Sequence, residues 1–355
     1  MGKVVAWAMF IILLLQIYPT TVAPNYMISK DDVTARKYMS YHDCYFDPLD
    51  DSNDDGNNID VAQDDTALYT TVQDAIDSIP EENSRRVKIF IRAGKYREKV
   101  KVPWNKPFIS FIGDGIGKTI LSWNDNASSK DSDGNLLGTS SSASTTIESV
   151  YFCATGITFE NTAPVPLPGA KDMQAVALRV VGDKAVFIDC QMVGHQDTLY
   201  DHSGKHFFLR CFIEGSIDFI CGNARSLYQN CILTSNAESW GAIAASQSLP
   251  NMATGFSFVE CKVRGSGNVY LGRAWSNYST IVYSNCQFDN IIDPRGWDDM
   301  TYTSRRSTTM FGEFNCSGPG ATKTGRVSWE TNLSFEQAQL YQSRQFIDVQ
   351  DWLNI

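Results

Sequence analysis

From Val87 onward, apolar and polar positions alternate in short runs separated by Gly, Asn and Asp, as in VKIFIRAGKYREKVKV, FISFIGDG, FCATGITFENT and AVALRVVGDKAVFIDC. Period-two runs of this length predict half-buried β-strands. The runs also recur in a fixed form. FIDCQM around Cys190, FLRCFI around Cys211, YQNCIL around Cys231, FVECKV around Cys261 and YSNCQF around Cys286 each place a Cys in mid-run, with successive spacings of 21, 20, 30 and 25 residues. Repeats of roughly 20 to 50 residues indicate stacked units that bury their apolar faces against one another. Each unit here is a β-run, so the chain is expected to be all-β, a parallel β-helix in which one coil makes one rung. Two helical segments flank it. Thr70-x-x-Gln73 predicts a capping box for a short helix on which Val72, Ala75, Ile76 and Ile79 share a face, ending at Pro80. Such a helix would cover the open edge of the first rung. Ser334 to Asp351 predicts a helical tail packed across the rungs.

Residues 1–23 hold one charge, Lys3, then the apolar run Val4 to Leu15 and small residues at Thr21-Val22-Ala23. That is the form of a secretory signal peptide, too short in its apolar part to span a bilayer. Residues 24–65 form a polar lead-in with eleven Asp, no Glu and three cations, which accounts for most of the net charge of −10. The body, 66–355, is close to neutral and has no basic stripe for nucleic acid. Sequons at Asn126, Asn277, Asn315 and Asn332 agree with secretion. Nine Cys in a secreted chain imply bridges with one left over, or, in a solenoid, a buried row of free thiols.

The candidate chemistry lies in GHQDTLYDHSGKHFFLRCFIEGSIDFICGNA, Gly194 to Ala224. Asp197 and Asp218 each fall seven positions after a Cys of the repeat, which puts them at equivalent places on adjacent rungs, about 4.8 Å apart. Two carboxyls so close do not ionise independently; one serves as nucleophile while its protonated neighbour serves as general acid. Gln174 precedes Gln196 by 22 residues, again about one coil, so two amide donors can join them. Arg273, between apolar neighbours in LGRAW, needs a buried partner. His195, His202 and His206 match no strong zinc spacing and are assigned structural or substrate-rim roles; the absence of HExxH and G-x-S-x-G counts against zinc protease and serine esterase chemistry. No metal or cofactor is required.

GKYREKV (Gly94 to Val100), ITFENT (Ile157 to Thr162), QAVALRV (Gln174 to Val180), GHQDTLYDHSGKHFF (Gly194 to Phe208), IDFICGNA (Ile217 to Ala224) and LGRAW (Leu271 to Trp275) resemble, in order, the signature blocks of plant pectinesterases, the pectin methylesterases. The resemblance implies a right-handed parallel β-helix that hydrolyses methyl esters of homogalacturonan to pectate and methanol in the plant cell wall. It implies Asp218 as nucleophile, Asp197 as general acid and base, Gln174 and Gln196 as oxyanion donors, and Arg273 as the residue that orients the nucleophile. Trp275 is matched to an aromatic on the sugar, and Ser144 to a substrate-contacting position. It also implies one disulfide, Cys211 to Cys231, a monomer, and a proteinaceous inhibitor as a possible partner. Cys221 stands where an aromatic is usual and Ala274 where Pro is usual. The 42 residues between leader and body leave no room for the N-terminal inhibitor-like domain of many relatives. Two other readings share the scaffold: a non-catalytic pectin-binding wall protein, and a retaining glycosidase, which also sets two carboxylates about 5 to 5.5 Å apart.

Overall fold

The computed structural model describes residues 58 to 352, apart from 167–169, 249 and 251. The expected leader and most of the acidic lead-in lie outside the described residues. What is described is a right-handed parallel β-helix whose coils cross three faces. The first face is a ten-stranded sheet from Asn58–Val61 to Thr309–Phe314, parallel throughout. The second and third faces merge into one sheet, because Ile232–Ser246 and Lys262–Ala274 run on from one face to the other. A register shift between Asn236 and Trp240 marks where they turn.

The corner between the first and second faces has a single recurrent cause. Asp189, Arg210, Asn230, Glu260, Asn285 and Asn315, each immediately before a Cys of the repeat, adopt φ from 49° to 55°. A left-handed conformation costs a non-glycine residue roughly 1–2 kcal/mol. Rung-to-rung hydrogen bonds offset it, as from Asp189 N to Leu209 O and from Arg210 N to Gln229 O, both 3.0 Å. Inside the coil, Phe187, Phe208, Tyr228, Phe258 and Tyr283 stack face to face at 4.9, 4.6, 4.8 and 4.5 Å, the spacing of the strands that carry them.

The Cys repeat becomes a physical row. Pairing of the flanking strands puts Cys190, Cys211, Cys231, Cys261 and Cys286 in register, and Cys316 extends the row by one. All six are free thiols, so the expected Cys211–Cys231 disulfide is not formed. The reason is local. Cys211 Sγ donates to Phe187 O at 3.4 Å and Cys231 Sγ to Phe208 O at 3.5 Å, and the same bond to the previous rung's aromatic recurs at Cys261 and Cys286. Burial pushes the Cys231 thiol far above its usual pKa, keeping it protonated to donate. Cys153 lies outside this row and is disulfide-bonded.

At the N-terminal end the helix is Val72–Asp77, with Val72, Ala75 and Ile76 buried as expected. Its cap is Thr71 rather than Thr70, because Gln73 is occupied elsewhere: its side chain accepts from Lys101 N at 2.7 Å. Glu98 takes the helix's first N–H groups instead, from Val72 and Gln73 at 2.8 and 2.9 Å. The ladder begins upstream of residue 66: Asn58–Val61 pairs with Lys88–Ile91 inside the stretch read as lead-in, where its edge carries the Asp60–Arg92 ion pair. At the other end Phe335–Gln342 is helical, with a complete Ser334/Gln337 capping box, and is tied to the first face by Ser257 Oγ donating to Tyr341 O at 2.6 Å.

Candidate active site

On the third face the outward side chains of successive rungs form a row in register: Arg179, Tyr200, Cys221, Ala245 and Arg273. Asp197 and Asp218 lie beside it. Extending the Leu199–Ile220 pairing back by two residues sets one opposite the other, and Asp197 N donates to Ile217 O at 3.1 Å. Asp218 is three positions before Cys221, so strict alternation would turn it inward. A φ of 49° and a register shift between Ile217 and Ile220 turn it out, and Asp197 shares the conformation with φ 60°. Both take the left-handed conformation that also turns the chain at Asp189, Arg210 and Asn230.

Asp218 is 3% exposed. Its counter-charge comes from 55 residues away, where Arg273 Nε donates to Oδ1 at 2.8 Å and Nη2 donates to Oδ2. Such a two-point bond offsets the desolvation of both ions. Burial works against the Arg273 charge, but Asp218 outweighs it and raises the guanidinium pKa. Asp197 goes the opposite way from an ordinary carboxylate. Burial first, and then the Asp218 charge, raise its pKa well above the usual range, against the opposing pull of Arg273 and a bond from the Cys221 thiol. Asp218 is thus paired with a cation, and Asp197 is favoured as the acid.

The remaining candidates divide. Gln174 and Gln196 are half-buried and linked through the backbone, Ala175 N donating to Gln196 O at 3.0 Å. Gln174 Oε1 has no partner, so that amide is not committed to the fold. Trp275 is 50% exposed and follows directly on the strand Lys262–Ala274 that carries Arg273. The segment between them is held by Arg305, whose Nη1 donates to Ala274 O at 2.5 Å. Ser144 is not brought to the surface: it is fully buried and its hydroxyl is unpaired. His206 is interior, between Asp201 Oδ1 at 2.5 Å and Gly182 O at 3.0 Å, while His202 stacks on Tyr200 at 4.5 Å. His195 is half-buried, two residues before Asp197 in the chain.

Sequence reasoning overlooked Trp240, whose ring centroid is 5.7 Å from the Arg273 guanidinium. An indole set among Ser, Gly and Ala in AESWGAIAAS was the available signal.

A family model described as Pectinesterase matches residues 58–350. The chain belongs to the pectinesterase family. Pectinesterase QRT1 of Arabidopsis thaliana is 52% identical over 288 residues, covering 80% of this chain and 76% of that one. Probable pectinesterase 8 of the same plant is 42% identical over 294 residues, covering 80% and 73%. Among solved structures, pectin methylesterase from carrot superposes with a TM-score of 0.77 at 35% identity, covering 85% of this pectinesterase and 96% of its own chain. A pectin methylesterase in complex with a hexasaccharide superposes with a TM-score of 0.71 at 28% identity, covering 82% and 96%.

Proposed function

We propose that this pectinesterase removes methyl esters from homogalacturonan by an aspartyl acyl-enzyme route. The observation that carries the proposal is the paired aspartates, Asp218 bonded twice to Arg273 and Asp197 driven toward its protonated form. The Asp218 carboxylate attacks the ester carbonyl carbon, and the oxyanion accepts N–H bonds from the side-chain amides of Gln174 and Gln196. Such a donor contributes about 3 kcal/mol in other hydrolases. Collapse expels methoxide, which leaves as methanol with the proton of Asp197, and Asp218 is left as an acyl anhydride. Asp197, now ionised, takes a proton from water; the hydroxide adds to the acyl carbon, and Asp218 departs as carboxylate. One ester and one water become one acid and one methanol.

Trp275 contacts the sugar in this scheme. Burial of Ser144 leaves that residue a role in packing. The pectinesterase acts in the plant cell wall as a secreted monomer, with the leader 1–23 removed, the lead-in 24–65 preceding the catalytic body, and a proteinaceous inhibitor as a candidate partner. Asn277, Asn315 and Asn332 are the exposed sequons and are proposed as the glycosylated ones. Nothing in the site favours the non-catalytic reading, since no catalytic member is missing.

The test is methanol release from highly methylated pectin by the purified chain, beside Asp218→Asn and a reducing-end assay. Methanol from the parent, little from the variant and no new reducing ends is the expected result. Silence from a folded parent would overturn it, and new reducing ends would point to the glycosidase.

A further inference from the structure

We propose that Trp240 is a substrate-binding residue of this site, which stacks a galacturonosyl ring over the Cys221–Ala245 floor beside the Asp218–Arg273 pair. The proposal rests on the pectinesterase reading and deepens it.

Three tryptophans are exposed among the described residues: Trp104 at 69%, Trp275 at 50% and Trp240 at 47%. A single exposed aromatic needs no explanation. Trp104 is of that kind, in the turn after Val100–Val102, six rungs from the strand that carries Arg273. Trp240 differs because of what it touches. Its ring lies against the guanidinium that holds Asp218, with nearly half of its surface open. A cation on one face of an indole leaves the other face for an apolar surface, and the C–H face of a pyranose is such a surface.

The backbone fixes where that ring stands. Trp240 closes the register shift in its strand and pairs with Asn268. The next residue, Gly241, approaches the previous rung so closely that a Cβ there would lie 2.2 Å from Ser216 O. The indole therefore projects from a clamped main chain and not from a free loop. Below it, the outward row is bulky at Tyr200 and Arg273 and small between them, with only the Cys221 thiol and the Ala245 methyl. Three rung steps separate Tyr200 from Arg273, about 14 Å. That gives a recess wide enough for a sugar ring lying along the floor, with the paired aspartates at its side. A ring seated there lies on the open face of the indole, opposite Arg273.

The experiment compares the parent with Trp240→Ala, Trp240→Phe, Trp240→Leu and, as the control for loss of an exposed indole, Trp104→Ala. Two readouts are taken: kcat and KM on methylated pectin, and calorimetric affinity for a de-esterified oligogalacturonide, which needs no turnover. Trp240→Ala is expected to raise KM and weaken oligogalacturonide binding about tenfold, with kcat within about threefold of the parent. Trp240→Phe should recover most of both, because it keeps a flat ring, and Trp240→Leu should not. Trp104→Ala should match the parent. Parent-like KM and affinity in Trp240→Ala would overturn the proposal, as would equal recovery by Leu and Phe. If Trp240→Ala does not fold, the Phe and Leu variants decide. A folded parent that releases no methanol would overturn the esterase reading instead, and the binding measurements would still decide on Trp240.

Discussion

Arg273 and Arg326 each hold one buried carboxylate through two guanidinium nitrogens, and they do different things. Arg326 donates to Glu313 from Nε at 2.7 Å and from Nη2 at 3.3 Å, then spends its other donors on Gly320 O at 2.7 Å and Pro294 O at 3.1 Å. Lys323 adds a second cation to Glu313 at 3.2 Å, and both partners of the Arg–Glu pair are sealed, with side chains 4% and 1% exposed. Glu313 sits in the regular strand Thr309–Phe314. Arg273 bonds only to Asp218 among the described residues. Its aspartate stands at a left-handed φ, a second carboxyl whose pKa is raised by burial lies alongside, and exposed indoles stand at the edge. The first pair has its hydrogen-bonding capacity filled by the protein and fastens the end of the solenoid. The second leaves capacity unfilled, and that open capacity is what a substrate can use.

The largest expected effect breaks the active pair: Asp218→Asn should cut methanol release by on the order of 10⁴-fold or more, the scale of losing a nucleophile. Arg326→Met tests the other arm. Breaking a sealed pair should lower unfolding free energy by about 3–5 kcal/mol in urea titration, with kcat/KM of the folded fraction unchanged. Equal loss of activity in both variants would erase the distinction drawn here.

Asp197 sharpens it further. Its folded pKa is raised by burial and by Asp218. Below the unfolded value both states are protonated and the residue costs nothing; the cost grows as pH rises past that value and levels off above the folded one. Asp197→Asn should therefore leave stability unchanged at about pH 3 and increase it at about pH 8, read by urea unfolding at each. In the parent, methanol release should fall as pH rises through the folded pKa of Asp197.

The smallest effect concerns the thiol row. Unfolding without reductant, followed by alkylation and peptide mapping, should label both Cys211 and Cys231. Cys231→Ala should cost only about 1 kcal/mol, the loss of a small buried group rather than of a bridge.

Much of this was legible beforehand. The Cys spacing located the rungs, because a solenoid repeats one local pattern and each copy signals independently of its neighbours. The same phase put Asp197 beside Asp218. Cys316 was missed, and the disulfide implied by resemblance gave way to thiols donating to Phe187 O and Phe208 O, an environment that belongs to the rung before. Thr71 displaced Thr70 as the helix cap for a similar reason, since Gln73 was drawn off by Lys101 on the strand beside it.

By itself, then, the sequence determined the period of the coil, the strands that build it and the phase of its acidic pair, all of which short-range alternation encodes. The tertiary structure alone decided which polar groups stayed open. Gly272-Arg273-Ala274 and Gly325-Arg326-Val327 read alike along the chain. One arginine is saturated by carbonyls from Gly320 and Pro294, and the other bonds Asp218 alone among the described residues and lies against the Trp240 ring. The physical reason is that hydrogen-bond capacity is filled by whatever lies across the fold, and no local pattern records it.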